Sequence, residues 1–227
     1  GVQGSADGTG AAATFKNPSG ITYSPDGTTV LVADSSNHKI RKIDVASEAV
    51  TTLAGSGVQG SADGTGAAAT FRNLWGITYS PDGTTALVAD TFSHKIREID
   101  VASGVVTTLA GSGVQGGADG TGAAATFNNP YGITYSPDGT TVLVADGNNH
   151  KIRKIVVASG AVTTLAGSDL QGGTDGTGAA AKFSYPYDIT YSPDGFFAVA
   201  CAANSIRRIE LVAVCTQPTD TTGYTVT

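Results

Sequence analysis

Histidine has the widest chemical repertoire of the side chains in this sequence, because it binds metals and acts as a general acid or base near neutral pH. The chain has three histidines, His38, His94 and His150. Each stands at the same place in a repeated segment, at the start of the third predicted strand and away from the first. We therefore interpret them as structural residues that form hydrogen bonds within their own repeat. The expected partners are Asp34, Asp90 and Asp146.

Aspartate followed by glycine recurs in four loops, at Asp7, Asp63, Asp119 and Asp175. Carboxylates can form a cation site, but calcium requires about six to eight oxygen ligands and each loop offers one carboxylate. Aspartate before glycine also stabilises a turn by bonding to its own backbone. We favour this structural role, and an ion shared between loops at one rim is the alternative.

Arginine also recurs once in each repeat. A residue that occurs in every copy is more simply explained by a role in building the structure of each copy than by a role in catalysis or binding. We expect each of these arginines to pair with a neighbouring carboxylate. The four are Arg41, Arg97, Arg153 and Arg207.

A glycine pattern, Gly55-Ser56-Gly57-Val58-Gln59-Gly60, matches the dinucleotide-binding motif. That motif requires a following helix and an acidic residue about 20 positions further on. The pattern returns at Gly111–Gly116, between segments of strand type and with no crossover helix. It predicts a flexible turn, and we expect no cofactor.

The segments that position these residues repeat every 56 positions, four times. Gly20–Gly27 reads Gly-Ile-Thr-Tyr-Ser-Pro-Asp-Gly, and the same letters return at Gly76–Gly83 and Gly132–Gly139. The fourth copy, Asp188–Gly195, has aspartate in place of the first glycine. Periods of this size are typical of repeat architectures.

Each copy predicts four short strands. In the second copy, β-branched and aromatic residues at 76–80 end at the turn signal Pro81-Asp82-Gly83. Further runs of strand type cover 84–88, 94–101 and 105–109, and a connection rich in glycine and alanine, 111–127, leads into the next copy. Isoleucines three apart in the third run indicate a bulge. Four antiparallel strands per repeat, arranged radially, predict a β-propeller.

The order of the motifs resembles the NHL repeat in all four copies. The Gly-Ile-Thr-Tyr-Ser-Pro-Asp-Gly segment is followed by Val-Ala-Asp, then by Asn37–Asp44, then by Val50–Gly55. The resemblance implies an all-β propeller, usually of six blades, that serves mostly as a platform for binding macromolecules. A few relatives are lyases or hydrolases with a metal in the central channel. The fourth copy departs from the pattern, with Ala202 for aspartate, Asn204 for histidine and two residues deleted.

Both ends of the chain fall inside a repeat. Gly1–Gly4 equals Gly57–Gly60, which follows a Val-Thr-Thr-Leu strand, and no such strand follows Glu210. We therefore expect these four blades to belong to a larger, six-bladed ring that residues outside this sequence complete. The segment Tyr224–Thr227 is the alternative source of the last strand.

An enzyme needs ionisable groups that converge, and the first strand of each blade lines the channel of a propeller. The four first strands each contribute Ile-Thr-Tyr, and only Asp188 adds a carboxylate near the mouth. These residues supply no pair of nucleophile and base and no set of metal ligands. We predict a protein that is not an enzyme. A lyase or hydrolase whose channel metal is held by further blades is the alternative.

The copies differ mainly in two clusters, the segment that enters the first strand and the loop between the second and third strands. Both lie at the same end of an up-and-down blade, opposite the nearly invariant Pro-Asp-Gly turns. Aromatic side chains with a polar group are enriched at protein interfaces. We predict a protein-binding rim with Trp75 as the main contact, and ordinary divergence of loops after duplication is the alternative. The rim residues are Trp75, Phe92, Tyr131, Tyr185 and Tyr187.

Charge and hydropathy limit the partners. The net charge is −6, and only 14% of the residues are charged. Binding to nucleic acid requires a concentrated basic surface, so we do not expect that partner. No apolar run approaches the roughly 20 residues of a membrane span, so we expect no membrane insertion.

The two cysteines, Cys201 and Cys215, fit neither a zinc site nor a disulfide framework. Cys201 is expected to be a small buried hydrophobic residue. Cys215 opens a threonine-rich tail, and we expect it to form a disulfide with Cys201 or with a cysteine downstream. Residues 215–224 resemble the start of cysteine-rich modules in algal surface and flagellar-hair (mastigoneme-type) proteins. We therefore divide the chain into propeller blades, 1–214, and a tail, 215–227, whose threonines can carry O-linked glycan.

These patterns predict a non-catalytic structural or protein-binding module of a large extracellular or cell-surface glycoprotein, such as a component of a flagellar hair. An intracellular NHL platform that binds protein or RNA is a further alternative. That alternative predicts a basic face and a reduced Cys215.

Overall fold

The computed structural model describes residues 2–211. Within them the chain forms four antiparallel sheets, one for each copy of the repeat. The strands that carry the Ile-Thr-Tyr segment lie side by side in successive sheets, so the sheets are arranged like blades around an axis. The predicted all-β propeller with four repeats is confirmed. Its place in a larger, six-bladed ring stays a prediction.

Short extended segments define the blades. Blade 1 contains β1 (Gly8–Thr9), β2 (Pro18–Tyr23), β3 (Thr29–Asp34), β4 (Lys39–Asp44) and β5 (Ala49–Ala54). Blade 2 contains β6 (Gly64–Thr65), β7 (Leu74–Tyr79), β8 (Thr85–Asp90), β9 (Lys95–Asp100) and β10 (Val105–Ala110). Blade 3 contains β11 (Gly120–Thr121), β12 (Pro130–Tyr135), β13 (Thr141–Asp146), β14 (Lys151–Val156) and β15 (Ala161–Gly167). Blade 4 contains β16 (Pro186–Tyr191), β17 (Phe197–Ala202) and β18 (Ser205–Glu210). Single 3-10 turns cover Gly10–Ala12, Ser35–Asn37, Gly66–Ala68, Thr91–Ser93, Gly122–Ala124, Gly147–Asn149 and Gly178–Ala180.

Each of the first three blades has one strand more than the four that the sequence predicts. The strand order is β1-β5-β4-β3-β2 in blade 1, and blades 2 and 3 repeat it. The additional outermost strand has two residues, such as Gly64 and Thr65 in β6. It lies in the segment that we expected to be only a connection, because the chain that leaves one blade pairs with the outer edge of the next. In blade 4, the described residues form three strands in the order β16-β17-β18.

In blades 2 and 3, the strand that carries the isoleucine pair, β9 or β14, packs on both of its faces. Ile96 and Ile99 are three residues apart, so they point to opposite faces of β9 and enter the cores on either side. The bulge that their spacing indicates lies in the partner strand β10, where the register shifts between Thr108 and Ala110. The alternation of apolar and polar residues is weak because these strands have no solvent face.

Apolar side chains fill the space between successive blades. Between blades 1 and 2, Leu31, Ala33 and Ile40 pack in one cluster with Phe71 and Ile77. Equivalent clusters join blade 2 to blade 3 and blade 3 to blade 4. Burying one large apolar side chain contributes about 1.5–3 kcal/mol. Each junction is therefore a substantial source of stability.

Glycine in the innermost strands, such as β7 and β12, lets neighbouring blades approach each other at the axis. A Cβ atom on Gly76 would lie 2.7 Å from the carbonyl oxygen of Tyr131. A Cβ atom on Gly132 would lie 2.5 Å from Cα of Asp188. The glycine that opens the repeated motif is thus required by close backbone contact, and blade 4 has Asp188 at this position.

The Pro-Asp-Gly turns close the other end of the blades. In blade 2, Asp82 Oδ1 accepts hydrogen bonds from Ser80 Oγ at 2.6 Å and from Thr84 N at 3.0 Å. Gly83 has a φ of 74°, in the region that favours glycine. The carboxylate and the glycine therefore each have a structural role in the turn, which explains why the copies hardly differ there.

Candidate functional site

The variable segments of the repeat meet at one end of the molecule. In blade 2, the loop after β8 bonds to the segment that enters β7, from Phe92 N to Arg72 O at 3.1 Å. In blade 3, the loop after β13 bonds to the segment that enters β12, from Asn148 N to Asn128 O at 3.0 Å. The Pro-Asp-Gly turns lie at the opposite end of the same strands. We call this end the aromatic rim and define it by the five predicted residues Trp75, Phe92, Tyr131, Tyr185 and Tyr187.

Trp75 and Tyr131 form one unit of the aromatic rim. Their ring centroids are 5.2 Å apart and the planes meet at 72°, an edge-to-face arrangement. Such pairs contribute about 0.5–1.5 kcal/mol beyond the area that they bury. Trp75 is nevertheless 45% exposed, and Tyr131 is partly exposed. The pair therefore presents a fixed aromatic surface to solvent.

The other three residues of the aromatic rim are also exposed. Tyr185 packs edge-to-face on His150, with ring centroids 4.5 Å apart. Phe92 is exposed on the 3-10 turn Thr91–Ser93. Tyr187 is exposed at the start of the inner strand β16.

A cavity of about 310 Å³ opens between the inner strands at this end. Trp75, Tyr187, Ser19 and Asp188 line it, together with Ile77 and other residues of the first strands. Ser19 is held there by a hydrogen bond from its Oγ to Leu74 O at 2.9 Å. Sequence reasoning missed Ser19, although the difference between Ser19 and Trp75 at one repeat position marks it. The cavity joins aromatic surface to a single carboxylate.

The histidines bond between blades, which contradicts the prediction that they bond inside their own repeat to Asp34, Asp90 and Asp146. Nδ1 of His94 accepts a hydrogen bond from the backbone N–H of Asn129, on the next blade, at 3.2 Å. His38 and His150 form the same bond to Asn73 and Tyr185. The reason is the left-handed backbone of the histidine, with φ of 54° at His94, and the occupation of the aspartates by arginine.

The recurrent arginines pair with carboxylates, as predicted. Arg97 is fully buried, and its guanidinium bonds to Asp90 at 2.8 Å and to Asp63 at 2.7 Å. It also lies over the ring of Phe71. Arg41 and Arg153 repeat both ion pairs, and Arg207 pairs with Asp175. The Asp-Gly loops are therefore held by an arginine of their own blade.

Burial shifts the pKa of groups in these networks. Burial raises the pKa of the Asp90 carboxyl, although the N–H of Arg72 and the charge of Arg97 act in the opposite direction. Burial lowers the pKa of His94, and the charge of Arg72 adds to the shift. The histidine is consequently neutral near pH 7, which its role as a hydrogen-bond acceptor requires.

The NHL repeat model matches residues 15–43, which run from the segment before β2 into β4. These blades are NHL repeats. The match covers β2, β3, the 3-10 turn Ser35–Asn37 and most of β4; the other blades contain the equivalent strands, and blades 2 and 3 also contain the equivalent turn.

Two curated proteins and one solved structure extend the comparison. The protein SUPPRESSOR OF QUENCHING 1, chloroplastic, of Arabidopsis thaliana is 31% identical over 86% of this chain and 20% of its own length. NHL repeat-containing protein 2 of Bos taurus is 32% identical over 61% of this chain and 20% of its own length. A chain of a nidogen/laminin complex has a TM-score of 0.62 at 16% identity, over 87% of this chain and 60% of that one. The NHL propeller thus spans about a fifth of the length of these curated relatives.

The glycine pattern of the NHL propeller is a turn. Gly55 and Gly57 have φ of 103° and 88°, and a single 3-10 turn follows at Gly66–Ala68. A Cβ atom on Gly55 would lie 2.3 Å from the carbonyl oxygen of His38. Glycine is needed there for the close contact with β4, and the following chain has no helix that could hold a phosphate.

Within residues 2–211, no group of three or more histidine, cysteine, aspartate or glutamate side chains is placed to hold a metal ion. Asp188 is exposed at the mouth of the cavity between the inner strands, and its Oδ1 accepts a hydrogen bond from Ile189 N at 2.9 Å.

Cys201 lies in β17 and is half-buried. Cys215, its pairing with Cys201 or a downstream cysteine, the boundary at residue 214 and the tail to residue 227 fall outside the described residues. The helices in the described range are single turns, and none has the length and apolar character needed to cross a membrane.

Proposed function

We propose that this NHL propeller is a non-catalytic module that binds protein through its aromatic rim, as part of a larger extracellular or cell-surface protein. The observation that carries the proposal is that Trp75, Phe92, Tyr185 and Tyr187, each more than 40% exposed, gather at the end of the blades where the copies differ. The opposite end, built from Pro-Asp-Gly turns, is nearly the same in every copy.

Rigid aromatic residues make good anchors for a protein partner. The edge-to-face contact with Tyr131 restricts Trp75 before any partner binds. Fixing a side chain in advance reduces the entropy that binding loses, about 0.5–1.5 kcal/mol for each immobilised side chain. The cavity beside Trp75 offers a pocket for a side chain of the partner. These features are typical of the centre of a binding interface.

The fold is compatible with this role. One structural neighbour comes from a nidogen/laminin complex, which is a protein assembly. Its likeness is one of fold alone, so it supports the role of a platform and identifies no partner.

The proposed location rests on the tail. Residues 215–224 resemble modules of algal surface and flagellar-hair proteins, and such modules oxidise their cysteines. Labelling of the native protein with a thiol reagent before and after reduction tests the location. A Cys215 that reacts only after reduction supports an extracellular site, and a fully reduced Cys215 contradicts it.

Photo-crosslinking tests the binding surface. A benzophenone amino acid is placed at position 75 on the rim, or at Thr84 on the opposite end as a matched control, and each variant is added to the native surface fraction of the source cells. We expect position 75 alone to give a crosslinked protein. Excess unlabelled chain should compete it away, and excess Trp75→Ala chain should not. Equal labelling from both positions would refute the rim.

Elemental analysis of the purified protein tests the non-catalytic part of the proposal. A stoichiometric metal ion that persists after dialysis against a chelator would favour the alternative of a lyase or hydrolase with a channel metal. Its absence from protein purified without chelator supports a binding module.

A further inference from the structure

One carboxylate stands at the axial position that is otherwise glycine. Gly20, Gly76 and Gly132 hold this position in the first three blades, and blade 4 has Asp188. A Cβ atom on Gly132 would lie 2.6 Å from Oδ1 of Asp188, so the carboxylate uses space that the glycine leaves open. Its other side borders the cavity between the inner strands.

A bulge turns two neighbouring side chains of β16 towards this cavity. Successive side chains of a regular strand point to opposite faces. The pairing of β16 with β17 shifts between Pro186 and Asp188, so the register passes over Tyr187. Tyr187 and Asp188 consequently both line the cavity. The equivalent shift in β7 brings Trp75 to the same lining.

The lining combines aromatic rings and oxygen acceptors, and its one charge is negative. Trp75 and Tyr187 are 45% and 43% exposed, and the hydroxyl hydrogen of Ser19 is used by a backbone carbonyl. Lysine, arginine and histidine are absent from the lining that residues 2–211 form. Within that range Asp188 forms no ion pair, and the N–H of Ile189 uses one of its two oxygens. The cavity therefore favours a cation.

The blades already hold a guanidinium with the same two kinds of group. Arg97 lies over the ring of Phe71, with 5.3 Å from its Cζ to the ring centroid, and bonds to two carboxylates. The other three blades have equivalent pairs of ring and cation, which are Phe15 with Arg41, Phe127 with Arg153 and Phe183 with Arg207. The cavity presents a similar aromatic wall and carboxylate to solvent.

We propose that this cavity binds an arginine side chain of the partner protein, with the guanidinium against Trp75 and Tyr187 and bonded to Asp188. The inference rests on the proposed function, because it names the group that the aromatic rim recognises. A planar guanidinium stacks on aromatic rings and bonds to a carboxylate through two N–H groups, whereas a lysine ammonium is a strongly hydrated point charge.

The size and position of the cavity suit one side chain of a protein. Its volume of about 310 Å³ is at the lower end of the range for ligand pockets, about 300–1,000 Å³. The exposed rings around its mouth offer surface to the residues that flank the arginine. Arginine, tyrosine and tryptophan are also enriched among the residues that dominate protein interfaces.

Short capped peptides test the cavity without the native partner. Acetyl-Gly-Arg-Gly-amide is titrated into the full chain, and two analogues carry lysine or citrulline, the uncharged isostere of arginine, at the middle position. Trp75 is the one tryptophan in the sequence, so its fluorescence and its indole N–H signal in NMR report on this cavity. We expect saturable changes with the arginine peptide and weaker binding of the lysine peptide. The citrulline peptide should bind about tenfold more weakly, because it loses the cation–π contact and the ion pair.

Chain variants assign the selectivity to one carboxylate. Asp188→Asn should weaken the arginine peptide about three- to fivefold, as for exposed ion pairs, and leave the citrulline peptide unchanged. The matched control is Asp169→Asn, which removes another exposed carboxylate that pairs with Lys151 and lies outside the cavity lining. It should leave both affinities unchanged. Equal weakening by the two variants would refute a specific role for Asp188.

Two results would overturn the arginine site. One is equal binding of the arginine and citrulline peptides. The other is an arginine peptide that leaves the Trp75 signals unchanged up to its solubility limit.

Photo-crosslinking from position 75 separates this inference from the proposed function. If a protein is captured there in equal yield with and without Asp188→Asn, and the peptides show no selectivity, the rim binds protein and the arginine site is refuted. If the peptides show the expected selectivity and no protein is captured, the guanidinium site is supported and the proposed function is refuted.

Discussion

The hydroxyl groups of Tyr79 and Thr29 lie 2.9 Å apart and join two neighbouring blades. Tyr79 ends β7 of blade 2, and Thr29 begins β3 of blade 1. Tyr191 forms the same bond to Thr141 at 3.1 Å. Burial raises the pKa of Tyr79, so the phenol stays protonated and can act as a donor or an acceptor throughout the neutral range. Each junction therefore combines an apolar core with a polar bond at its edge.

Replacement of Tyr79 by phenylalanine should lower the free energy of unfolding by about 1 kcal/mol, because it removes one partly buried hydrogen bond and leaves the ring in place. Denaturation in urea measures the change. The matched control is Tyr23→Phe, at the same repeat position in blade 1, where the side chain is 64% exposed. We expect no measurable loss there. Equal losses at the two positions would show that the bond between blades contributes nothing.

The buried arginine predicts a larger loss. Arg97→Met leaves the carboxylate of Asp90 buried without its cation, and breaking such a pair costs about 3–5 kcal/mol. The double variant Arg97→Met, Asp90→Asn should be more stable than the single variant, because the amide oxygen can still accept the bond from Arg72 N and carries no charge.

An exposed ion pair provides the comparison for Arg97. Arg208→Met removes the partner of Glu210, and the change should be within about 1 kcal/mol, as is typical of surface pairs. If the double variant proved no more stable than Arg97→Met alone, the buried charge would not be the cause of the loss.

The pairing of the arginines was predictable from sequence, and the partners of the histidines were not. Arg97 and Asp90 occur at fixed places in a repeat that needs them in every copy, and a buried cation requires a carboxylate. His94 also has a fixed place, but its ring turns towards the next blade because its own backbone is left-handed. One repeat read alone contains no signal for a bond between repeats.

The outermost strand illustrates the same limit. Gly64 has low strand propensity, and a run of two residues is too short to predict a strand. Gly64 and Thr65 form β6 because the edge of β10 offers unpaired backbone groups. The aromatic rim was located by comparing copies, since residues that differ between copies are free of the demands of the scaffold. Its edge-to-face pair was not predictable, because Trp75 and Tyr131 belong to different repeats.

The axial glycines predict a test of blade spacing. Gly76→Ala places a methyl group 2.7 Å from the carbonyl oxygen of Tyr131, so the inner strands must move apart. We expect a loss of about 1–3 kcal/mol in the free energy of unfolding, as for overpacked cores. Gly173→Ala is the matched control, because nothing lies within 4 Å of its added methyl group. Its stability should be unchanged or slightly higher. An unchanged Gly76→Ala would refute the close approach at the axis.

The histidine bonds predict that stability falls as the medium becomes acidic. Burial holds the folded-state pKa of His38, His94 and His150 below the ordinary value of about 6.5. The unfolded chain therefore binds more protons than the folded one just below this pH, and stability is lost as the pH falls through the unfolded value. Protonation of Nδ1 also removes the acceptor for the backbone N–H of the next blade. Urea denaturation between pH 7.5 and pH 5 should show this loss, and a variant with glutamine at all three positions should show a flatter profile. The Pro-Asp-Gly carboxylates do not contribute in this window, since the pKa of Asp26 is lowered to about 2 by its bonds to Ser24 and Thr28. A profile that is the same with and without the histidines would refute their role between blades.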